Sequence, residues 1–223
     1  MIPLKDKNPT HRVPVVTIAL IVANIAVFLY EVSLGPQLEQ FLFAFGVVPN
    51  DIVGSFALGQ IRIGALLPLF TSLFVHGGWL HLGGNMLYLW VFGYNVEDKL
   101  GHGRYLVFYL LCGLVASLLH VFIDPNSTVP TVGASGAISG ILGAYLLMFP
   151  RARVITVIPI FVFLQFVELP AVLVLGFWFV MQFFNGLISL GYETGGMGGV
   201  AWWAHIGGFV AGLVLILPFR KYR

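Results

Sequence analysis

The chain has 223 residues, of which 59% are hydrophobic and 9% charged, against roughly 25% charged in an ordinary soluble domain. That composition excludes a soluble globular enzyme and points to a polytopic membrane protein, and the formal net charge of +2 offers no strongly basic surface for nucleic acid. A single cysteine, Cys112, excludes an intramolecular disulfide.

Apolar stretches near the ~20 residues that a spanning helix requires predict six spans, at 13–30, 79–96, 105–123, 132–149, 169–190 and 201–219. Residues 1–223 then form one domain, an all-α bundle of six transmembrane helices. MIPLKDKNPTHR precedes the first span, but the apolar part is long and no small-residue cleavage site follows, so that helix is read as retained. The longest connection runs from Glu31 to about Val75. Its pieces FAFGVVPNDIVG and GALLPLFTSLFV are broken by Gly and Pro and too short to cross, which predicts a segment that lies in, or re-enters, the outer interface.

The second span opens with HGGWLHLGGNMLYLW, which puts His81 and Asn85 four residues apart on one helix face; His76, five residues before His81, is predicted to point away. Cys112 in the third span is read as a packing residue. The fourth span begins with GASGAISG, Gly133 to Gly140. The fifth carries FWF, in which Phe177 and Trp178 are candidate gate residues, with plain lipid contact an equal alternative. The connection GYETGGMGGVAWW, which includes Met197, is glycine-rich enough to act as a lid. The sixth span carries AWWAHIGGFVAG and so His205.

Charge asymmetry sets the orientation. Ten basic residues (Lys5, Lys7, Arg12, Lys99, Arg104, Arg151, Arg153, Arg220, Lys221 and Arg223) fall on one set of connections and Arg62 alone on the other, which puts both termini in the cytoplasm. Spans two, four and six then all enter from the outer face. His81, Ser135 and His205 lie within the first two turns of those helices, so at about 1.5 Å per residue they share the outer half of the bilayer. Gly136 with Gly140 and Gly208 with Gly212 are GxxxG pairs that allow close helix approach, and Gly83 and Gly84 add small residues to the second span. Spans two, four and six are therefore expected to be the tightly packed core.

Polar residues inside a membrane are functional candidates. A hydroxyl becomes a nucleophile when a base takes its proton, and His is the usual partner. Ser135 begins its helix, where free N–H groups favour developing negative charge, and His81 and Asn85 add side-chain donors for an oxyanion. No Asp or Glu is placed deep in a span, which predicts a Ser135–His205 dyad without the acid of a triad. Ser139, one turn deeper and without the Gly-x frame, is the weaker nucleophile. No cofactor is implied, and zinc fits poorly because three ligands would need a Cys, Asp or Glu that the spans do not supply.

With GASG around Ser135, HGGWLHLGGN, AHIGGFVAG and the turn VEDKLGHGRY in this order, the sequence resembles the rhomboid family of intramembrane serine proteases, of bacterial type, over nearly its whole length. The resemblance implies Ser135 as nucleophile, His205 as general base, His81 and Asn85 with the Ser135 N–H as oxyanion hole, single-span membrane proteins as substrates, and a prokaryotic inner membrane as the setting. Two departures stand out. Leu67 and Pro68 occupy the place of a Trp-Arg pair that anchors the outer loop in some members, and Ser139 replaces an aromatic that often packs on the base. A catalytically silent relative that binds transmembrane helices is the alternative. Oligomeric state and the physiological substrate are not legible.

Overall fold

The computed structural model describes residues 1–57, 59, 63–189 and 201–219. Arg62, Met197 and the expected lid up to Val200 lie outside the described residues. Strand β1 (Ile2–Asp6) opens the chain and helix α1 (Val15–Ser33) follows. Four short helices occupy the long connection, α2 (Leu38–Phe45), α3 (Pro49–Ala57), α4 (Ile63–Leu66) and α5 (Pro68–Thr71). Then come α6 (Trp79–Leu100), α7 (His102–Ile123), α8 (Ser135–Met148), strands β2 (Arg153–Ile160) and β3 (Phe163–Pro170), α9 (Ala171–Ser189) and α10 (Trp202–Phe219).

The protein is an integral membrane helical bundle. By length and hydropathy α1, α7, α9 and α10 each suffice to cross a bilayer alone. α6 does so jointly with residues 64–74, at a bend of 78°, and α8 is a shorter apolar helix of 14 residues. α8 is the centre of the molecule: every residue from Gly136 to Tyr145 is buried. It packs along α10 and α7, and less extensively on α6.

The close approach of α8 and α10 is backbone on backbone. A Cβ on Gly208 or Gly212 would run into the carbonyls of Gly136 and Gly140, so the two GxxxG pairs interleave. The third member of this core is α7 rather than the expected second long helix. Cys112, Gly113, Ala116 and Ser117 form a buried small-residue stripe on α7. A Cβ on Gly136 would stand 2.7 Å from Ala116 Cβ, and one on Gly140 would hit Cys112. Gly83 and Gly84, by contrast, are exposed with nothing within 4 Å, because α6 turns that face away from the bundle.

A three-stranded antiparallel sheet, order β1-β2-β3, closes one end of the bundle and was not anticipated from the sequence. β1 pairs with β2 from Ile2↔Val157 to Asp6↔Val154, and β2 with β3 from Arg153↔Pro170 to Ile160↔Phe163. The β-branched run VITVI favours strand once it must lie flat between two helix ends. Asp6 fastens the sheet to the helices: buried, it accepts hydrogen bonds from Asn95 Nδ2 at 2.6 Å, Tyr145 Oη at 2.5 Å and Tyr94 Oη. Burial pushes the Asp6 carboxyl above its usual range, and the Tyr145 and Asn95 hydrogen bonds oppose that only in part.

Next to it, α1 begins without a side-chain cap of its own. The buried Glu97 of α6 supplies one, accepting from Val16 N and Thr17 N at 2.8 Å and from Thr17 Oγ1 at 2.7 Å, so a carboxylate sits on the positive end of α1. Asp98 in turn takes the N–H groups of His11 and Arg12.

At the opposite end, the α1–α6 connection is anchored without a Trp-Arg pair. Thr71 Oγ1 donates to Phe45 O at 2.9 Å, Val47 and Thr131 exchange backbone bonds, and Val47, Ile52 and Leu69 bury against Val121 of α7. This loop therefore grips the α7–α8 connection directly. Gly133 N completes the contact by donating to Ser72 O at 2.8 Å.

Candidate active site

Ser135 is the first residue of α8, so its own N–H has no intrahelical acceptor. The segment leading to it descends along the loop just described. Gly133 holds a backbone angle φ of 123°, which L side chains rarely adopt, and a Cβ there would stand 2.7 Å from His81 Nε2 and 3.5 Å from Asn85 Nδ2. Both the angle and the space demand glycine. Its bare backbone lets two side chains of α6 reach the start of α8.

His205 comes from the first turn of α10 and is brought to α8 by the interleaved glycines. Its Nε2 lies 2.7 Å from Ser135 Oγ. Both side chains are half-buried, so the pair is enclosed yet retains some access. Trp178 of α9 lies tilted at 34° beside the imidazole and Trp202 meets it edge-on at 88°, each with ring centroids 6.1 Å away.

His81 and Asn85 line the other side. His81 Nδ1 accepts the Gly77 N–H at 3.3 Å, which leaves Nε2 as the protonated nitrogen facing Gly133. Asn85 is buried and its Nδ2 lies 3.0 Å from His76 Nε2. That contact engages one of the two hydrogens of the amide.

His76 therefore does not point away, contrary to the sequence expectation. It precedes α6, in a segment that leaves Val75 extended at ψ 141°, so helical spacing does not govern it, and its ring packs against His81 at 5.1 Å. Behind it stands Glu31, which the sequence places outside the first span. In the structure Glu31 is on the last turn of α1, buried, with both carboxylate oxygens 3.2 Å from the His76 N–H.

The other nominated residues separate. Ser139 is buried and its Oγ donates to Ser135 O at 2.6 Å, back-bonding within α8, and among the described residues it makes no hydrogen bond to a histidine. Phe177 faces outward at 50% exposure, whereas Trp178 and Phe179 turn inward onto Phe209 at 6.0 and 4.7 Å. Gly136, Gly140, Gly208 and Gly212 sit directly beneath the Ser135–His205 contact. No group of His, Cys, Asp and Glu among the described residues has the geometry of a metal site.

One residue of the site was missed. Gln182 of α9 is buried, and its Oε1 lies 2.7 Å from His205 Nδ1. The available signal was an amide within AVLVLGFWFVMQFFN, where Gln182, like Asn185, is costly in a span unless it is hydrogen-bonded.

Residues 64–222 match the family model described as the Rhomboid domain. Among known proteins the chain is similar to "Rhomboid protease GluP" of Bacillus subtilis, 32% identical over 86% of this chain and 32% of that protein. It is also similar to "Rhomboid protein 1, mitochondrial" of Saccharomyces cerevisiae, 30% identical over 61% of this chain and 37% of the relative. With "RHOMBOID-like protein 1" of Arabidopsis thaliana it shares 30% identity over 90% of this chain and 52% of the relative. The chain thus spans about a third to a half of the length of these relatives.

Proposed function

Because this chain belongs to the rhomboid family, the buried polar cluster at the start of α8 acquires a chemical reading, and we propose that the protein is an intramembrane serine endopeptidase whose dyad is Ser135 and His205. The observation that carries the reading is the 2.7 Å contact between His205 Nε2 and Ser135 Oγ at the N-terminus of a buried helix.

In the reaction so inferred, Ser135 Oγ attacks the carbonyl carbon of the scissile peptide and its proton passes to His205 Nε2. The oxyanion is held by the Ser135 N–H, His81 Nε2–H and the second Asn85 amide hydrogen, donors fixed in place before charge develops. His205 then protonates the leaving amine, and water deprotonated by the same imidazole releases the acyl group and restores Ser135. Substrates are membrane proteins cut in or near a transmembrane segment that unwinds to expose its backbone. The setting is a prokaryotic inner membrane with both termini cytoplasmic and the serine end of the bundle facing outward, a reading supported by the ten-to-one basic asymmetry of the connections.

Labelling of the detergent-solubilised protein with a fluorophosphonate, followed by intact mass, tests the proposal. One adduct on the parent and on Ser139→Ala, absent from Ser135→Ala and His205→Ala, is the expected result. A folded parent that takes no adduct in several detergents and in lipid would favour the silent, helix-binding alternative.

A further inference from the structure

A dyad leaves open which nitrogen of His205 carries the proton. A neutral imidazole has one, and the ring of His205 stands between two partners at 2.7 Å, Ser135 Oγ on Nε2 and Gln182 Oε1 on Nδ1. Two arrangements satisfy both contacts. With the proton on Nδ1, His205 donates to Gln182 and Nε2 offers a lone pair to the Ser135 hydroxyl. With the proton on Nε2, Ser135 becomes an acceptor and the amide of Gln182 must turn its NH2 towards Nδ1. Only the first contains a base.

The surroundings leave this choice to Gln182. Among the described residues no carboxylate is hydrogen-bonded to His205, and the neighbouring indoles of Trp178 and Trp202 meet the ring by their faces and edges without an acceptor for Nδ1. Gln182 lies on the buried side of α9, while Met181, Phe183 and Phe184 around it are exposed. A buried amide in an apolar span is stabilised only by a hydrogen bond, and its partner is a ring nitrogen 23 residues away on the next helix. The oxygen of the amide is the atom turned to Nδ1.

Resting on the reading of Ser135 and His205 as the catalytic pair, we propose that Gln182 is the positioning residue of this site: by accepting from Nδ1–H it selects the tautomer of His205 that can take the proton of Ser135, and fixes the ring that aims Nε2 at it. It thereby does the orienting half of what an aspartate does in a Ser-His-Asp triad, without the half that comes from negative charge.

The test compares the parent with Gln182→Met, which keeps length and loses the acceptor, and Gln182→Glu, which restores an acceptor, all in bilayer nanodiscs. Two readouts are taken: the rate of fluorophosphonate labelling, and the 15N spectrum of histidine-labelled protein, with the His205 signals identified by their loss in His205→Ala. In the parent, Nδ1 should be protonated and Nε2 bare. Gln182→Met should label about 10²-fold more slowly and shift the His205 proton towards Nε2, and Gln182→Glu should recover both. The inference is overturned by a parent whose His205 proton is on Nε2, or by a folded Gln182→Met that labels within twofold of the parent with Nδ1 still protonated. If Gln182→Met does not fold, the parent's tautomer and the Gln182→Glu labelling rate decide. A parent that never labels while holding the Nδ1–H tautomer defeats the catalytic reading and leaves the Gln182–His205 contact standing, so the two failures are distinct.

Discussion

Gly208→Ala tests whether the packing of α8 against α10 sets the reactive geometry. A Cβ at this position would stand 2.9 Å from the carbonyl carbon of Gly136 and 3.2 Å from Ser139 Cβ, with the Gly136 carbonyl oxygen nearer still. Carbon atoms in contact settle about 3.5–4.0 Å apart, and the carbonyl oxygen, nearer than either carbon, demands more room still, so the two backbones must part by about 1 Å or more. Neither obstacle is the end of a flexible side chain, and Gly208 lies one turn below His205. A parting of that size takes the Ser135–His205 contact from 2.7 Å to beyond hydrogen-bond range. The expected loss is about 10²-fold in fluorophosphonate labelling, with a stability cost of about 1–3 kcal/mol from overpacking. Gly176→Ala on α9 is the control. Nothing lies within 4 Å of its Cβ, so stability should rise by up to about 1 kcal/mol on helix propensity. Thermal unfolding in detergent and labelling rate are measured on both. A Gly208→Ala protein that melts and labels like the parent would refute the claim that these glycines hold the site together.

Further outcomes follow from the same structure. Ser139→Ala should cost about 1 kcal/mol, the worth of one buried hydrogen bond, and leave labelling of Ser135 intact by intact mass. Glu97→Gln should lower thermal stability by about 1–3 kcal/mol, because the Val16 and Thr17 N–H groups then face an amide in place of a carboxylate. Lys7→Met should change the melting temperature far less than Glu97→Gln, since the Lys7–Glu168 pair is exposed, at 50% and 40%. For Asp6, a folded pKa raised above the unfolded value of 3.8 means that its contribution is complete below that value and is lost as pH rises through the folded one. The melting advantage of the parent over Asp6→Asn should therefore shrink from about pH 4 upwards; an advantage that grows with pH would contradict it.

What the sequence discloses here is decided by periodicity. Ser135, His81, Asn85 and His205 were legible as a group because each is a polar residue in an apolar helix, at a depth that topology and rise per residue can place. Spacing failed where the chain is not helical: His76 lies before α6 starts, and the angle that brings it back to Asn85 belongs to an extended segment. The partner of the α8–α10 pair was misjudged for a different reason. Glycines announce close packing, but Gly83 and Gly84 do not take part, and the stripe that does, on α7, consists of one glycine flanked by Cys112, Ala116 and Ser117. Buriedness of a small residue depends on its neighbour and is not written in its own identity. The sheet escaped because β1 lies nearly 150 residues from its partner β2, and because the β2–β3 hairpin turns through Phe161 and Val162, with none of the Gly, Asn or Asp that mark a two-residue turn.

The shortness of α8 joins fold to chemistry. Fourteen residues rise about 21 Å, against an apolar bilayer core of about 30 Å, while α7 with 22 residues is long enough to span. A helix of that length, surrounded by longer ones, cannot present both ends at the membrane surface. Its far end is tied to the sheet, where Tyr145 donates to Asp6. The shortfall must then fall at the Ser135 end, so the serine begins its helix below the level at which α7 emerges. The non-helical backbone that fills the gap, from Ser127 to Gly133, would be intolerable against lipid. It is satisfied instead by the α1–α6 connection, through Asn50, Val47 and Ser72. A loop wedged into the top of the bundle is thus what a recessed serine requires. It satisfies the unwound backbone that lipid could not, while Ser135 and His205 stay half-buried beneath it.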